Sequence, residues 1–133
     1  MLLKNDVEKL ISELANANIA KIELGGCGIT VRTCQEASKM SLSTPVYFGG
    51  NYIPKSVRNC LKQRNPFHVY SIRTDLVIDE ENFRIYLNYF GEMSSINQHH
   101  FIDLLEDFID LADKWREYLD QHDQNDLVYI MAR

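Results

Sequence analysis

The residues best able to do chemistry in this 133-residue chain are three cysteines, four histidines and a dense set of carboxylates. Cys27 lies in the run Gly25-Gly26-Cys27-Gly28-Ile29-Thr30, a thiol set among glycines. That run leads into a strand pattern, not a helix N-terminus, so it lacks the dipole and the N–H array that hold a phosphate. As a nucleophile Cys27 would need a histidine brought to it from elsewhere in the chain; the local reading is a hairpin cysteine. Cys27, Cys34 and Cys60 show no CxxC spacing, and an odd number suits a reducing compartment. Along one strand, at about 3.3 Å per residue, Cys34 lies roughly 20 Å from Cys27, which excludes a disulfide between them. His99 and Asp103 have i,i+4 ligand spacing, but two ligands without a cysteine pair do not make a zinc site. The carboxylates between Asp103 and Asp120 fall opposite an apolar stripe and so face water. The chain is expected to be no enzyme and to hold neither metal nor cofactor.

The elements that position these residues are led by one long amphipathic helix, expected over 95–122. Phe101, Leu104, Leu105, Phe108, Leu111, Ala112, Trp115 and Leu119 recur at three- and four-residue steps. Ser95 with Gln98 fits a capping box at its start. A stripe with two Phe and the only Trp must bury against something large and flat, a sheet. Asn5 with Glu8 suggests a second box opening a shorter helix, 5–18, with Val7, Leu10, Ile11 and Leu14 on its apolar side. Next comes KIELGGCGITVRT, a hairpin. With 25–28 as its loop, Leu24 faces Ile29 and Ile22 faces Val31, all on one face. Residues 35–45 are polar and give no clear period. Pro45 to Phe48 reads as a third strand, closed by Gly49-Gly50-Asn51. Pro54 suits the first turn of a short basic helix to about Arg64, which Pro66 ends.

The second hairpin is the strongest sheet signal. HVYSIRTDLVI and FRIYLNYF flank Asp79-Glu80-Glu81-Asn82. With those four as the loop, Ile78 faces Phe83, Leu76 faces Ile85, Thr74 faces Leu87 and Ile72 faces Tyr89. One face is apolar and the other mostly polar, as in an antiparallel sheet covered by helices on one side. Burying each inner Ile or Leu is worth about 1.5–3 kcal/mol, enough to fix which face points in. The expected inner layer is Ile22, Leu24, Ile29, Val31, Ile72, Leu76, Ile85, Leu87, Phe108 and Trp115. Residues 127–133, LVYIMAR, form a short apolar tail with no assigned place.

Length and composition point to one soluble domain over 1–133, and the elements make it α+β. With no membrane-length apolar run and an opening too polar for a secretory signal, it is expected to be cytosolic. The net charge of −5 is unevenly spread. Between Ala37 and Thr74 there is no acid but Lys39, Lys55, Arg58, Lys62, Arg64 and Arg73; from Asp75 onward acids dominate. The basic middle is read as neutralising acid within the fold. A nucleic-acid patch on helix 54–64, using Lys55, Arg58, Lys62 and Arg64, is the alternative, and it would need more basic residues with exposed aromatics beside them.

The order α-β-β-β-α-β-β-α, a twisted antiparallel sheet with helices on one face, resembles the class I chaperones of bacterial type III secretion. The stretch PVYFGGNYIPKSVRNCLKQRNP is similar to that family's strand, glycine turn and Pro-started short helix. LLEDFIDLADKWREYL matches its last-helix pattern at Leu105, Phe108, Ala112, Trp115 and Leu119. The resemblance spans about residues 5–120. Segment 35–44 and the basic middle depart from it. It implies a small acidic, non-enzymatic homodimer that binds the extended N-terminal segment of an effector and keeps it competent for secretion. A regulatory or adaptor domain of the same fold is the other protein-binding reading. By the same resemblance the short helix dimerises, through Val57, Cys60 and Leu61. The expected partner surface comes from the residues themselves: Tyr86 and Phe90 on the outer sheet face, with Val69 and Val77 nearby and Arg73 and Arg84 flanking them. Extended partner segments are captured by strand addition and apolar pockets.

Overall fold

The computed structural model describes residues 4–24, 27–34, 39–62, 72–92 and 98–131. Three helices, α1 (Lys4–Ala17), α2 (Lys55–Cys60) and α3 (Gln98–Met131), accompany five strands. The strands are β1 (Ile19–Leu24), β2 (Cys27–Cys34), β3 (Lys39–Phe48), β4 (Thr74–Asp79) and β5 (Arg84–Glu92). They form one antiparallel sheet in the order β1-β2-β3-β5-β4. The element order is the one expected, α-β-β-β-α-β-β-α.

α1 starts at Lys4, so Asn5 already lies inside it and is not its cap. It ends on Asn18, whose φ of 60° and N–H bond to Leu14 O make a left-handed helix stop, a role asparagine tolerates. Asn18 O then accepts from the Thr33 N–H at 2.9 Å, fastening the helix exit to β2. Ser95 lies outside the described residues. α3 runs past His122, and Leu127–Met131 of the apolar tail continue it as helix.

Both hairpins keep the expected faces but move by two residues in pairing. In the first, Ile22 pairs with Ile29 and Ala20 with Val31, because the strands reach to Leu24 and Cys27 across two glycines. In the second, Ile78 pairs with Ile85, Leu76 with Leu87 and Thr74 with Tyr89. Here the Asp79 carboxylate accepts from the Glu81 and Asn82 N–H groups and from the Asn82 amide at 2.9 Å. That turn starts the loop one residue later and leaves Phe83 at a φ of 56°. A two-residue shift preserves side-chain parity, so the same residues face inward although their cross-strand partners differ.

The largest departure is β3. The polar segment before Pro45 belongs to the middle strand of the sheet, with Met40, Leu42, Thr44 and Val46 buried and Ser41 and Ser43 turned outward. Pro45 cannot donate to a ladder, and a register shift between Pro45 and Tyr47 accommodates it as a bulge. The carbonyl of Pro45 is taken by Arg116 of α3, which donates from Nε at 3.1 Å and Nη2 at 2.9 Å. The same Nη2 reaches Thr44 Oγ1 at 3.0 Å, and the Thr44 hydroxyl donates to Gly28 O. One guanidinium thus ties the helix to the bulge.

The buried side chains of α1, α2, α3 and the inner sheet face form one cluster. Phe108, Leu105, Leu111 and Leu119 are fully buried, with Trp115 beside them. Of the expected inner layer, Ile29, Val31, Ile85, Leu87, Phe108 and Trp115 are buried; Ile22, Ile72 and Leu76 are half-buried. β3, absent from that expected layer, lies under α3. Gly49 is required where β3 ends, because a Cβ there would meet the carbonyl oxygens of Tyr52 and Phe83.

Candidate protein-binding face

The bulge decides what the outer face presents. Up to Pro45, the even-numbered residues of β3 point inward. Beyond it Tyr47 sits opposite Ile85 in the core and Phe48 opposite Arg84 outside. Without the extra residue Phe48 would point inward. It is instead 61% exposed, with the Arg84 guanidinium 5.1 Å from its ring centroid. Next to that row, Val77 pairs with Tyr86, and Tyr86 pairs with Pro45. The expected pairings of Val77 with Arg84 and Asp75 with Tyr86 are corrected accordingly: Asp79 faces Arg84 and Asp75 faces Asn88.

Phe48, Arg84, Val77 and Tyr86 therefore lie side by side near one end of the outer face, Val77 being 47% exposed. Phe90, 57% exposed, lies four residues further along β5 from Tyr86, opposite Ser41 and with Lys39 Nζ 5.5 Å from its ring. Arg73 is exposed just before β4. Val69 falls outside the described residues. Phe48 and the neighbouring exposed Tyr52 were missed by reading period alone; the signal was Pro45, a residue that inside a strand predicts a bulge and hence a change of face.

The short helix is part of the core. Val57 and Cys60 are 0% and 2% exposed and pack with α3, so as a dimer surface they are corrected: they are covered within the chain itself. A six-residue helix needs only a narrow apolar edge to fill the gap beside α3. Ser56 Oγ donates to His122 O, and the Cys60 thiol, held up by burial, lies over Ser56 O. Leu61 is half-buried and lines, with Leu76, Val77 and Trp115, a groove of about 510 Å³ beside β4, an end strand of the sheet. Arg58 is drawn into the fold, donating to Ile53 O and to both oxygens of Glu80 at 2.8 and 3.4 Å. That pair fits the neutralising reading of the basic segment and leaves Lys55 and Lys62 as the exposed bases of this helix region; Arg64 is outside the described residues.

Tyr47 is pinned beneath α3, its phenol pushed far above the usual range by burial and by Asp123, whose carboxylate takes its O–H. Asp120 is raised by burial and by the same Asp123. Among the described residues no group of three or more His, Cys, Asp or Glu is placed to hold a metal ion. No described helix is long and apolar enough to cross a membrane.

No protein-family model matches the chain, and no curated protein matches it significantly in sequence. Solved structures do match. A chain of the ExsC–ExsE complex superposes with a TM-score of 0.63 at 18% identity, covering 90% of this chain and 97% of that one. A chain of the HopA1–SchA chaperone–effector complex gives 0.60 at 10% identity, covering 86% and 92%. A chain of the heterodimeric ExoU–SpcU complex, from the type III secretion system of Pseudomonas aeruginosa, gives 0.56 at 15% identity, covering 81% and 84%. With five antiparallel strands, a short helix between β3 and β4 and a long last helix over β3, the chain has the fold of a class I type III secretion chaperone.

Proposed function

We propose that this protein is a non-enzymatic secretion chaperone that captures the extended N-terminal segment of an effector on the outer face of its sheet and keeps it competent for secretion. The observation that carries the reading is the aromatic and aliphatic patch of Phe48, Val77, Tyr86 and Phe90, left exposed or half-exposed while the inner face holds the core. Arg73 and Arg84 flank it and orient the incoming chain. The three similar structures support the reading because each is a complex of this fold with a second protein. A second copy of the chain is proposed to dock at the groove lined by Leu61, Leu76 and Trp115.

The test is capture from the native cell extract by the tagged protein, with mass spectrometry of what comes along and proteolysis to map the protected segment. Tyr86→Ser combined with Phe90→Ser is expected to leave the fold intact, since neither is in the core. It should weaken capture by at least about 2 kcal/mol, as loss of aromatic hot spots does. A folded double variant that captures its partner at full strength would move the site off this face.

A further inference from the structure

Resting on the outer-face reading, we infer that the trough across the middle of this face seats one basic side chain of the docked segment, over Asn88 and between Asp75 and Tyr86. On β5 the backbone positions of Tyr86 and Phe90 stand about 14 Å apart, four steps of roughly 3.4 Å. Between them runs a row of short polar residues in register across four strands: Asp75, Asn88, Ser43 and Thr30. Small side chains between large ones leave a concavity of about 650 Å³, bounded by Arg32, Tyr86 and Phe90.

Its polar groups are unspent at one end. Asp75 is exposed, and its carboxylate has no ion pair among the described residues. Asn88 Oδ1 is covered and has no hydrogen-bond partner among the described residues. The terminal torsion of asparagine is soft, so the amide can turn toward an arriving donor and recover the cost of an unpaired acceptor. Tyr86 lies diagonally across from Asp75, within reach of a long side chain, and its ring offers a cation a favourable face. A Lys or Arg placed there meets a carboxylate, an amide oxygen and an aromatic face together.

The surrounding charges fix where the base sits. Arg32, on β2, is about 16 Å from Asp75, three strand spacings across and two residues along, beyond the roughly 8 Å screening length. It and Lys39, over Phe90, disfavour a cation at their own side without cancelling Asp75. Asp79, on the rim, spends its oxygens on the hairpin turn. Arg84 faces Asp79 and lies over Phe48. Arg73 lies two residues before Asp75 and makes no ion pair with it, so it weakens the seat without filling it.

The probes are acetylated nine-residue peptides with Leu at positions three and seven and Lys, Ser or Glu at position five. Binding to the full chain is read by fluorescence polarisation at physiological salt and by backbone amide shifts. The Lys peptide is expected to bind about 5-fold or more tighter than the Glu peptide, shifting amides of residues 75 and 86–90. Asp75→Asn should erase the preference and Asp75→Lys invert it, with circular dichroism confirming both fold. Equal binding of the three peptides, or an order untouched by either folded variant, overturns the inference. The outer-face reading survives that result if Tyr86→Ser with Phe90→Ser still abolishes binding. Binding by no peptide, or shifts confined to other surfaces, overturns both.

Discussion

Arg116 shows how one side chain can set what a sheet presents on its far side. It closes the bulge whose extra residue turns Phe48 outward. Arg116→Met should cost about 1.5–3 kcal/mol in urea unfolding, the range for hydrogen bonds to a charged group, because Pro45 O and Thr44 lose their partner. Arg116→Lys should recover only part of it, since an ammonium cannot reproduce the planar fork. Asp79 acts through pH. The Asn82 amide and two backbone N–H groups favour its charged form, so its folded pKa lies below the usual carboxylate value. Its contribution is complete above the unfolded value of about 3.9 and is lost as pH falls through the lower folded one. Asp79→Asn should therefore be less stable than wild type at pH 6, and the gap in urea midpoint should shrink toward pH 3.

At the scale of elements, α3 carries the fold. Phe108→Ala removes a fully buried ring from between helix and sheet and should cost about 3–5 kcal/mol in denaturant unfolding. Asp120, near Asp123 on the same helix, has the opposite sign from Asp79. Burial and its neighbour raise its pKa, so its charge opposes folding at neutral pH. Because the side chain is largely exposed and screened by solvent, Asp120→Asn should raise the melting temperature at pH 7 only slightly. That advantage should shrink as pH falls below the raised folded value and be gone below the unfolded value of about 3.9, where Asp120 is neutral in both states.

For the whole molecule, two surfaces remain: the outer sheet face and the groove at β4. A homodimer formed at that groove would have twice the 15.5 kDa chain mass in size-exclusion chromatography with light scattering. Leu61→Glu should then give a monomer; Val77 lines the groove as well as the outer face, so a dimer there covers the Val77 end of the patch and leaves Tyr86 and Phe90 open. A wild type already monomeric at micromolar concentration would remove the groove from consideration.

Periodicity alone determined the class of fold, the long helix and the inward face of each hairpin, because burying Ile29, Val31, Ile85 and Leu87 outweighs any local preference. It also brought Val77, Tyr86 and Phe90 to one face, since a two-residue slip leaves parity unchanged. Tertiary structure alone decided the rest. Met40-Ser-Leu-Ser-Thr44 became the middle strand because its neighbours β2 and β5 supply the ladder, a fact local propensity does not contain. Val57 and Cys60 became core because α3 covers them. Phe48 became surface because a bulge reversed its face, and that bulge is held by a helix residue 71 positions away in sequence. Parity is a local property and can be read from the chain; cover and cross-strand support come only from what folds against it.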